Sequence, residues 1–490
     1  MAAGTIIDGT ASRSAEVAGV PFSRPKISHA VLLTGAQVAK WSLRAIFVLI
    51  VARVLGPSQF GVYALLYAMV EFLAMASGGG YIDYLTREAA RDAGVGWGLA
   101  SQLMALRIAI AIPVAVIEIA ILFVMRYPHA MLTGTAWMAV TLIPRSLSEA
   151  VQGVLRGIDR YKSYLVVELV LGTGLVMGAG LMLMRSGGLH MAIQTEIAAA
   201  GIAGLLAVGL GLKFKTKKLI GMNRWHLVKK SAVFNLYSFI GTMYDRFDVV
   251  VLSRLAGDYA TGIYSVAYRA LGMTQILAYG VLYSLLPTLS RNSGGLAERL
   301  RMEKATGLLL SAAFMLVLAT MVFAGPAVNL LLGVRYAESA VALKILIWAV
   351  ILRYFNYALN VRLLAGGHER VFVATSLVCL GVNFFGNLVF IPMYSWRAAA
   401  AITIATELVL LGQNIFWIRR VSGGVSLSLR VALNSLVFVS LLALAMVGGF
   451  LGAPLVVGTA CIALFAAYLY RSGICSEFSA VWGAERNPIS

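Results

Sequence analysis

The sequence is poor in charge. Of its 490 residues only 12% are Asp, Glu, Lys or Arg, about half the share usual in soluble chains. A water-soluble globule is excluded. Cysteine is scarcer still: Cys379, Cys461 and Cys475 form no CxxC pair, so neither a disulfide framework nor a thiolate metal site is expected. The five histidines (His29, His129, His190, His226 and His368) are scattered without ligand spacing, and no HExxH, GxxxxGK or GxSxG occurs. That excludes the metalloprotease, P-loop and hydrolase signatures, and no metal or cofactor is expected. Long polar segments are also missing. After the N-terminal tail, the longest hydrophilic connection is Lys213 to Lys230.

What is present is apolar length. Hydrophobic residues make up 60% of the chain and its mean hydropathy is +0.85. A spanning helix needs roughly 20 mostly apolar residues, and fourteen stretches between residues 30 and 470 qualify. The fourth and tenth are the least apolar, because they carry Arg145, Glu149, Lys344 and Arg353. The runs are long and unbroken, whereas barrel strands alternate every second residue. An all-α, multi-pass membrane protein follows. Residues 1–28 hold Arg13, Arg24 and Lys26 but no apolar core, so they are expected to be a polar tail rather than a signal peptide.

A net charge of +19 would suit nucleic acid, but the cations are sorted by loop parity. Arg87, Arg91, Arg156, Arg160, Lys162, the seven Lys and Arg of 213–230, Arg291, Arg370, Arg419 and Arg420 all fall on the side that carries the N-terminus. The other side holds little beyond Arg126, Arg185, Arg335, Arg397 and the helix-end residues Arg53 and Arg254. The positive-inside rule therefore places both termini in the cytoplasm. With no soluble module to carry a basic face, a nucleic-acid partner is not expected.

One phrase occurs twice. "RVLGPSQFGVYALLY" (Arg53 to Tyr67) returns as "RLAGDYATGIYSVAY" (Arg254 to Tyr268), with Arg, Gly, Gly, Tyr and Tyr in matching positions. Gly56 and Gly257 suit a tight turn of positive φ, and Gly61 and Gly262 a close helix approach. Short membrane turns often need such residues, but five matches at one offset favour duplication. The expected organisation is a tail 1–28, a six-helix lobe 29–212, a basic cytoplasmic linker 213–230, a second, pseudo-symmetric six-helix lobe 231–420, two additional helices within 421–471, and a cytoplasmic tail 472–490. Repeated bundles are a common construction for secondary transporters, with the site between them near the midplane.

"ARVLGPSQFGVYAL", "YLTREAARD" (Tyr84 to Asp92), "VLRGIDRYKSY" (Val154 to Tyr164), "ATGIYSVAYRA" and "LLPTLSR" (Leu285 to Arg291) occur in that order on the fourteen-helix frame. In this the chain resembles the polysaccharide flippases of the multidrug/oligosaccharidyl-lipid/polysaccharide exporter superfamily. The resemblance implies alternating-access movement of a polyprenyl-diphosphate-linked oligosaccharide from the cytoplasmic to the periplasmic leaflet of a bacterial inner membrane. It also implies membrane lipid and polysaccharide polymerase machinery as partners.

A diphosphate crossing a low-dielectric slab calls for positive charge within the bundle. Intramembrane ionisable residues are functional candidates by default, since each costs about 2.5–3.5 kcal/mol to insert. Lys40 and Arg44 lie four apart on one face of the first helix, and Arg107, Arg145, Arg269 and Arg353 complete the cationic candidates. Arg145 alternatively pairs with Glu149, and Arg269 alternatively snorkels to the surface. Lipid II flippases carry an arginine early in their eighth helix, close to where Arg269 falls. Arg246, between Asp245 and Asp248, is expected to be an internal ion-pair partner. Among the intramembrane carboxylates Glu71, Glu118, Glu168, Glu196, Asp245, Asp248 and Glu407, the candidates for ion coupling are Asp245, Asp248 and Glu71; the two aspartates equally suit a structural role. The rival readings are a drug or cation antiporter of the same superfamily, which would want an acidic cavity, and a membrane enzyme of polysaccharide assembly, which would need a larger polar loop.

Overall fold

The computed structural model describes residues 27–214, 224–278, 296–365, 368–422, 429–450 and 452–473. Most of the expected tail 1–28, the middle of the linker 213–230, the "LLPTLSR" segment and residues 474–490 lie outside the described residues.

Among the described residues there are fifteen α-helices and no strand. They are α1 (Ile27–Ala76), α2 (Tyr81–Arg91), α3 (Ala93–Val124), α4 (His129–Ala139), α5 (Leu142–Gly157), α6 (Tyr161–Arg185), α7 (Leu189–Phe214), α8 (Arg224–Met273), α9 (Leu296–Leu332), α10 (Ala337–Leu346), α11 (Trp348–Ala365), α12 (Glu369–Tyr394), α13 (Trp396–Ser422), α14 (Leu429–Phe450) and α15 (Pro454–Arg471). Nine of the described helices are long and apolar enough to cross a membrane. Large apolar side chains such as Ile112, Phe385 and Leu436 are about two-thirds exposed, at 64%, 65% and 64%. Such faces are stable against lipid rather than water.

Fourteen passes emerge once the kinks are read. The 50-residue helices α1 and α8 each bend sharply at one glycine, Gly56 (φ 73°) and Gly257 (φ 83°). Only glycine adopts this left-handed backbone without strain. Each is therefore two passes joined by a tight turn, the duplicated phrase of the sequence. Proline follows the first, where its missing N–H costs nothing at a helix start. Conversely, α4 with α5 and α10 with α11 are single passes interrupted by a turn, and α2 continues the second half of α1 after Ser77 to Gly80. Gly78 in that break has φ 114°.

The two copies pack against each other. A Cβ at Gly61 would lie 1.8 Å from the carbonyl oxygen of Asp258, and one at Gly262 would lie 1.9 Å from that of Pro57. The contact is reciprocal, as a two-fold relation between the lobes demands. Nearby, Tyr336 Oη donates to the Ala52 carbonyl at 2.8 Å, and Arg53 Nη1 to those of Leu330 and Leu331 at 3.2 Å. The main apolar core runs through this junction, taking Phe60 and Tyr63 from one copy and Ile263 and Tyr264 from the other. The last two helices, α14 and α15, pack on α9. Phe438 stacks on Phe314 with ring centres 4.6 Å apart, and Asn434 Nδ2 donates to Ser311 Oγ at 2.9 Å.

Candidate functional site: charges between the lobes

The ionisable residues inside the bundle divide into those that are neutralised and those that are not. The neutralised ones start at the break in the second pass. There the Ala74 carbonyl loses its helical partner and accepts instead from Ser77 Oγ at 3.1 Å and Arg107 Nη2 at 3.3 Å. Arg107, whose side chain is completely buried, also pairs with Glu149. Glu149 holds Arg145 Nε at 2.7 Å, and Arg145 Nη1 holds Glu71 at 2.6 Å. Two arginines and two glutamates thus form a balanced chain across α1, α3 and α5. Of the two readings open for Arg145, pairing with Glu149 is the one observed.

In the second lobe, Arg353 on α11 binds Glu407 on α13 at 2.6 Å, with both side chains 4% exposed. Its Nη2 donates to Tyr268 Oη at 3.2 Å. Glu407 further accepts from Asn356 Nδ2 at 3.0 Å and Tyr244 Oη at 3.2 Å. Burying an ion pair is tolerable only when the remaining lone pairs are satisfied in this way. Asp248 accepts from the Tyr264 hydroxyl and from the Val249 amide, and Tyr264 Oη also lies 3.1 Å from Thr403 Oγ1.

On the first helix, Lys40 reaches Glu168 at 3.0 Å and Arg44 reaches Glu196 at 2.7 Å. Tyr63 Oη donates to the same Glu196 at 2.5 Å. These pairs are less enclosed: the side chain of Lys40 is 44% exposed and that of Arg44 21%.

Two arginines stand apart. Among the described residues, neither Arg246 nor Arg269 has a carboxylate within ion-pair distance, and Arg269 Nε is buried with no hydrogen-bond partner. The expectation for Arg246 was neutralisation by its sequence neighbours. Asp248 is instead turned to Tyr264, and Asp245 accepts a long 3.5 Å bond from Tyr268. Consecutive residues on a helix point about 100° apart, so adjacency in sequence did not become contact. Arg269 does not reach outward alone; it lies over the rings of Tyr67 and Phe60, 5.0 and 5.9 Å from their centres. Arg246 lies 5.7 Å from the same Tyr67 ring and Arg44 4.5 Å from it. Three guanidiniums from three passes and both copies therefore converge on one tyrosine, with Glu196 the carboxylate bound to one of them.

Of the six cations singled out from sequence, the structure brings Arg44 and Arg269 together, with Lys40 one turn away from Arg44. It commits Arg107, Arg145 and Arg353 to buried pairs with carboxylates. Arg246 and Tyr67 belong to the cluster and were not selected. The duplicated phrase contained Tyr67, but no spacing in the sequence marked it as a meeting point. Among the described residues no group of His, Cys, Asp and Glu is arranged to hold a metal ion.

Comparison with known proteins agrees with this architecture. The family model described as polysaccharide biosynthesis protein matches residues 28–293. A probable low-salt glycan biosynthesis flippase, Agl15, of Haloferax volcanii is 22% identical over 359 residues, covering 72% of this chain and 75% of that protein. Among solved structures, the lipid II flippase MurJ in an inward closed conformation superposes with a TM-score of 0.71 at 11% identity, covering 92% of this chain and 100% of that one. An inward-facing multidrug resistance transporter of the MATE family gives 0.65 at 14% identity over 78% and 95%. At these identities the structural likeness speaks to the fold.

Proposed function

Since the chain belongs to the polysaccharide biosynthesis protein family, a group of flippase-like transporters in the multidrug/oligosaccharidyl-lipid/polysaccharide exporter superfamily, we propose that it translocates a polyprenyl-diphosphate-linked oligosaccharide. Movement is from the cytoplasmic to the outer leaflet of a bacterial inner membrane, by alternating access of the two lobes, with both termini in the cytoplasm. The observation that carries this reading is the cluster of Arg44, Arg246 and Arg269 around Tyr67. Three guanidiniums against one bound carboxylate leave positive charge only partly compensated inside the bundle. A diphosphate supplies the missing negative charge, and guanidinium forks bind its oxygens in pairs. Lys40 extends the site by one helical turn. Arg107, Arg145 and Arg353 act from behind it, holding the helices that carry it.

Ion coupling falls to Asp245 and Asp248 rather than to Glu71, which Arg145 occupies. Membrane lipid and the polymerase machinery of surface polysaccharide assembly are the partners this role brings. The alternative, a drug or cation antiporter, draws on the multidrug transporter likeness. An organic cation would, however, meet repulsion from the three arginines.

The deciding experiment is translocation in proteoliposomes of a fluorescent, sugar-bearing polyprenyl diphosphate, with an impermeant reagent reporting the exposed leaflet. Protein-dependent movement that Arg269→Ala abolishes supports the reading. Movement of organic cations, with none of the diphosphate lipid, overturns it in favour of the antiporter.

A further inference from the structure

Four tyrosines occupy matching places in the duplicated phrase: Tyr63 and Tyr67 in the first copy, Tyr264 and Tyr268 in the second. Three have hydroxyls already engaged. Tyr63 donates to Glu196, Tyr264 to Asp248, and Tyr268 donates to Asp245 while accepting from Arg353. Tyr67 differs: among the described residues its hydroxyl makes no hydrogen bond, and the side chain is half-buried. Its ring is nevertheless the most heavily used of the four. It stacks on Tyr63 with centres 6.4 Å apart and an interplanar angle of 27°, and Arg44, Arg269 and Arg246 lie 4.5, 5.0 and 5.7 Å from its centre.

We propose that Tyr67 is the organising residue of the anion site, its ring gathering the three guanidiniums and its hydroxyl donating directly to a phosphate oxygen of the ligand. This rests on the diphosphate reading above and names a ligand contact which that reading does not contain. Three like charges repel, and among the described residues no carboxylate lies within ion-pair distance of Arg246 or Arg269 to hold them. The negative face of an aromatic ring attracts guanidinium without consuming its hydrogen bonds, so the donors of Arg246 and Arg269 stay free for a ligand while Arg44 is shared with Glu196. A carboxylate in the place of Tyr67 would also gather them, but it would cancel the charge that the ligand needs. The hydroxyl at the ring's edge then completes a donor set with the three arginines, and hydrogen bonds to charged acceptors are the stronger kind.

The arrangement also joins the lobes. Arg44 and Tyr67 come from α1, Arg246 and Arg269 from α8. The ring is thus the point at which the two copies present their cations to one ligand.

The test uses the full-length chain in lipid nanodiscs, titrated with inorganic pyrophosphate and, separately, with farnesyl diphosphate. Tyr67→Phe keeps the ring and removes the donor, and should bind both probes about 10-fold more weakly, the loss expected of one hydrogen bond to a charged group. Tyr67→Leu removes both and should bind more weakly still. Melting temperature without ligand is measured alongside, and Tyr67→Phe should leave it unchanged, which separates ligand contact from packing. Wild-type affinity in both Tyr67 variants, with binding lost in Arg269→Ala, overturns the role of Tyr67 and leaves the diphosphate site standing. Wild-type affinity in Arg246→Ala and Arg269→Ala as well overturns both.

Discussion

Arg107 on α3 and Glu149 on α5 form an ion pair from which water is excluded on the arginine side, since no part of that guanidinium side chain is exposed. Glu149 is shared with Arg145, which in turn holds Glu71. Removing Arg107 leaves Glu149 undercompensated and the Ala74 carbonyl with one partner fewer. Breaking a buried pair from one side costs about 3–5 kcal/mol, whereas replacing both members by apolar groups is often far milder. Arg107→Ala should therefore cut protein abundance in the membrane, and Arg107→Met combined with Glu149→Leu should cost less per residue changed. Thermal unfolding in detergent checks it; equal stability of Arg107→Ala and wild type would refute the structural role.

Arg44 invites the opposite outcome. Its pair with Glu196 is partly open, and Glu196 keeps the Tyr63 hydroxyl when Arg44 is gone. Arg44→Ala should sharply reduce polysaccharide export with abundance near normal, and Arg44→Lys should keep a part of it. Lysine retains the charge but not the fork. Full export by well-expressed Arg44→Ala protein would remove Arg44 from the site.

Gly61→Ala and Gly262→Ala should each disturb the junction of the lobes. The added methyl would meet a backbone carbonyl at 1.8 or 1.9 Å, a distance no rotamer change relieves, so the two passes must separate. Overpacking of this kind typically costs about 1–3 kcal/mol. Because the contacts are reciprocal, the two variants should resemble each other in transport and in melting temperature. A large effect from one and none from the other would contradict the reciprocity.

Topology can be read from two turns. Lys162, beside the α5–α6 turn, and His129, at the start of α4, are both exposed and lie at opposite ends of the fourth pass. Lys162→Cys should resist an impermeant thiol reagent applied outside intact cells, and His129→Cys should react. The reverse pattern would invert the orientation drawn from the positive-inside rule.

Much of the frame was legible in the chain. Apolar length marks each pass because the bilayer thickness sets it, and Gly56 and Gly257 announced their turns because a positive φ needs glycine. The interruption of the second pass at Ser77 to Gly80 was legible only as a small-residue run, and its consequence, the capture of the Ala74 carbonyl by Arg107, was not. The charge pairs resisted reading for a related reason. Lys40 and Glu168 are 128 residues apart, Arg44 and Glu196 are 152, and Arg353 and Glu407 are 54. Which helices become neighbours decides such pairs, and hydropathy carries no pairing information. Sequence could show that cations were present in the bundle, but not that five of the six candidates would pair with glutamates while, among the described residues, Arg246 and Arg269 had no carboxylate within ion-pair distance.

The reciprocal contact of Gly61 with Asp258 and Gly262 with Pro57 has the form of an isologous interface, in which one patch meets its own copy about a two-fold axis. Two half-length chains could make that same contact with each other. The covalent linker then supplies proximity, not complementarity: it raises the effective concentration of a partner that the surface already fits. Freed from strict symmetry, each half could keep its turn and its glycines while the groups around its tyrosines drifted apart, cations gathering at Tyr67 and an aspartate and an arginine at Tyr268.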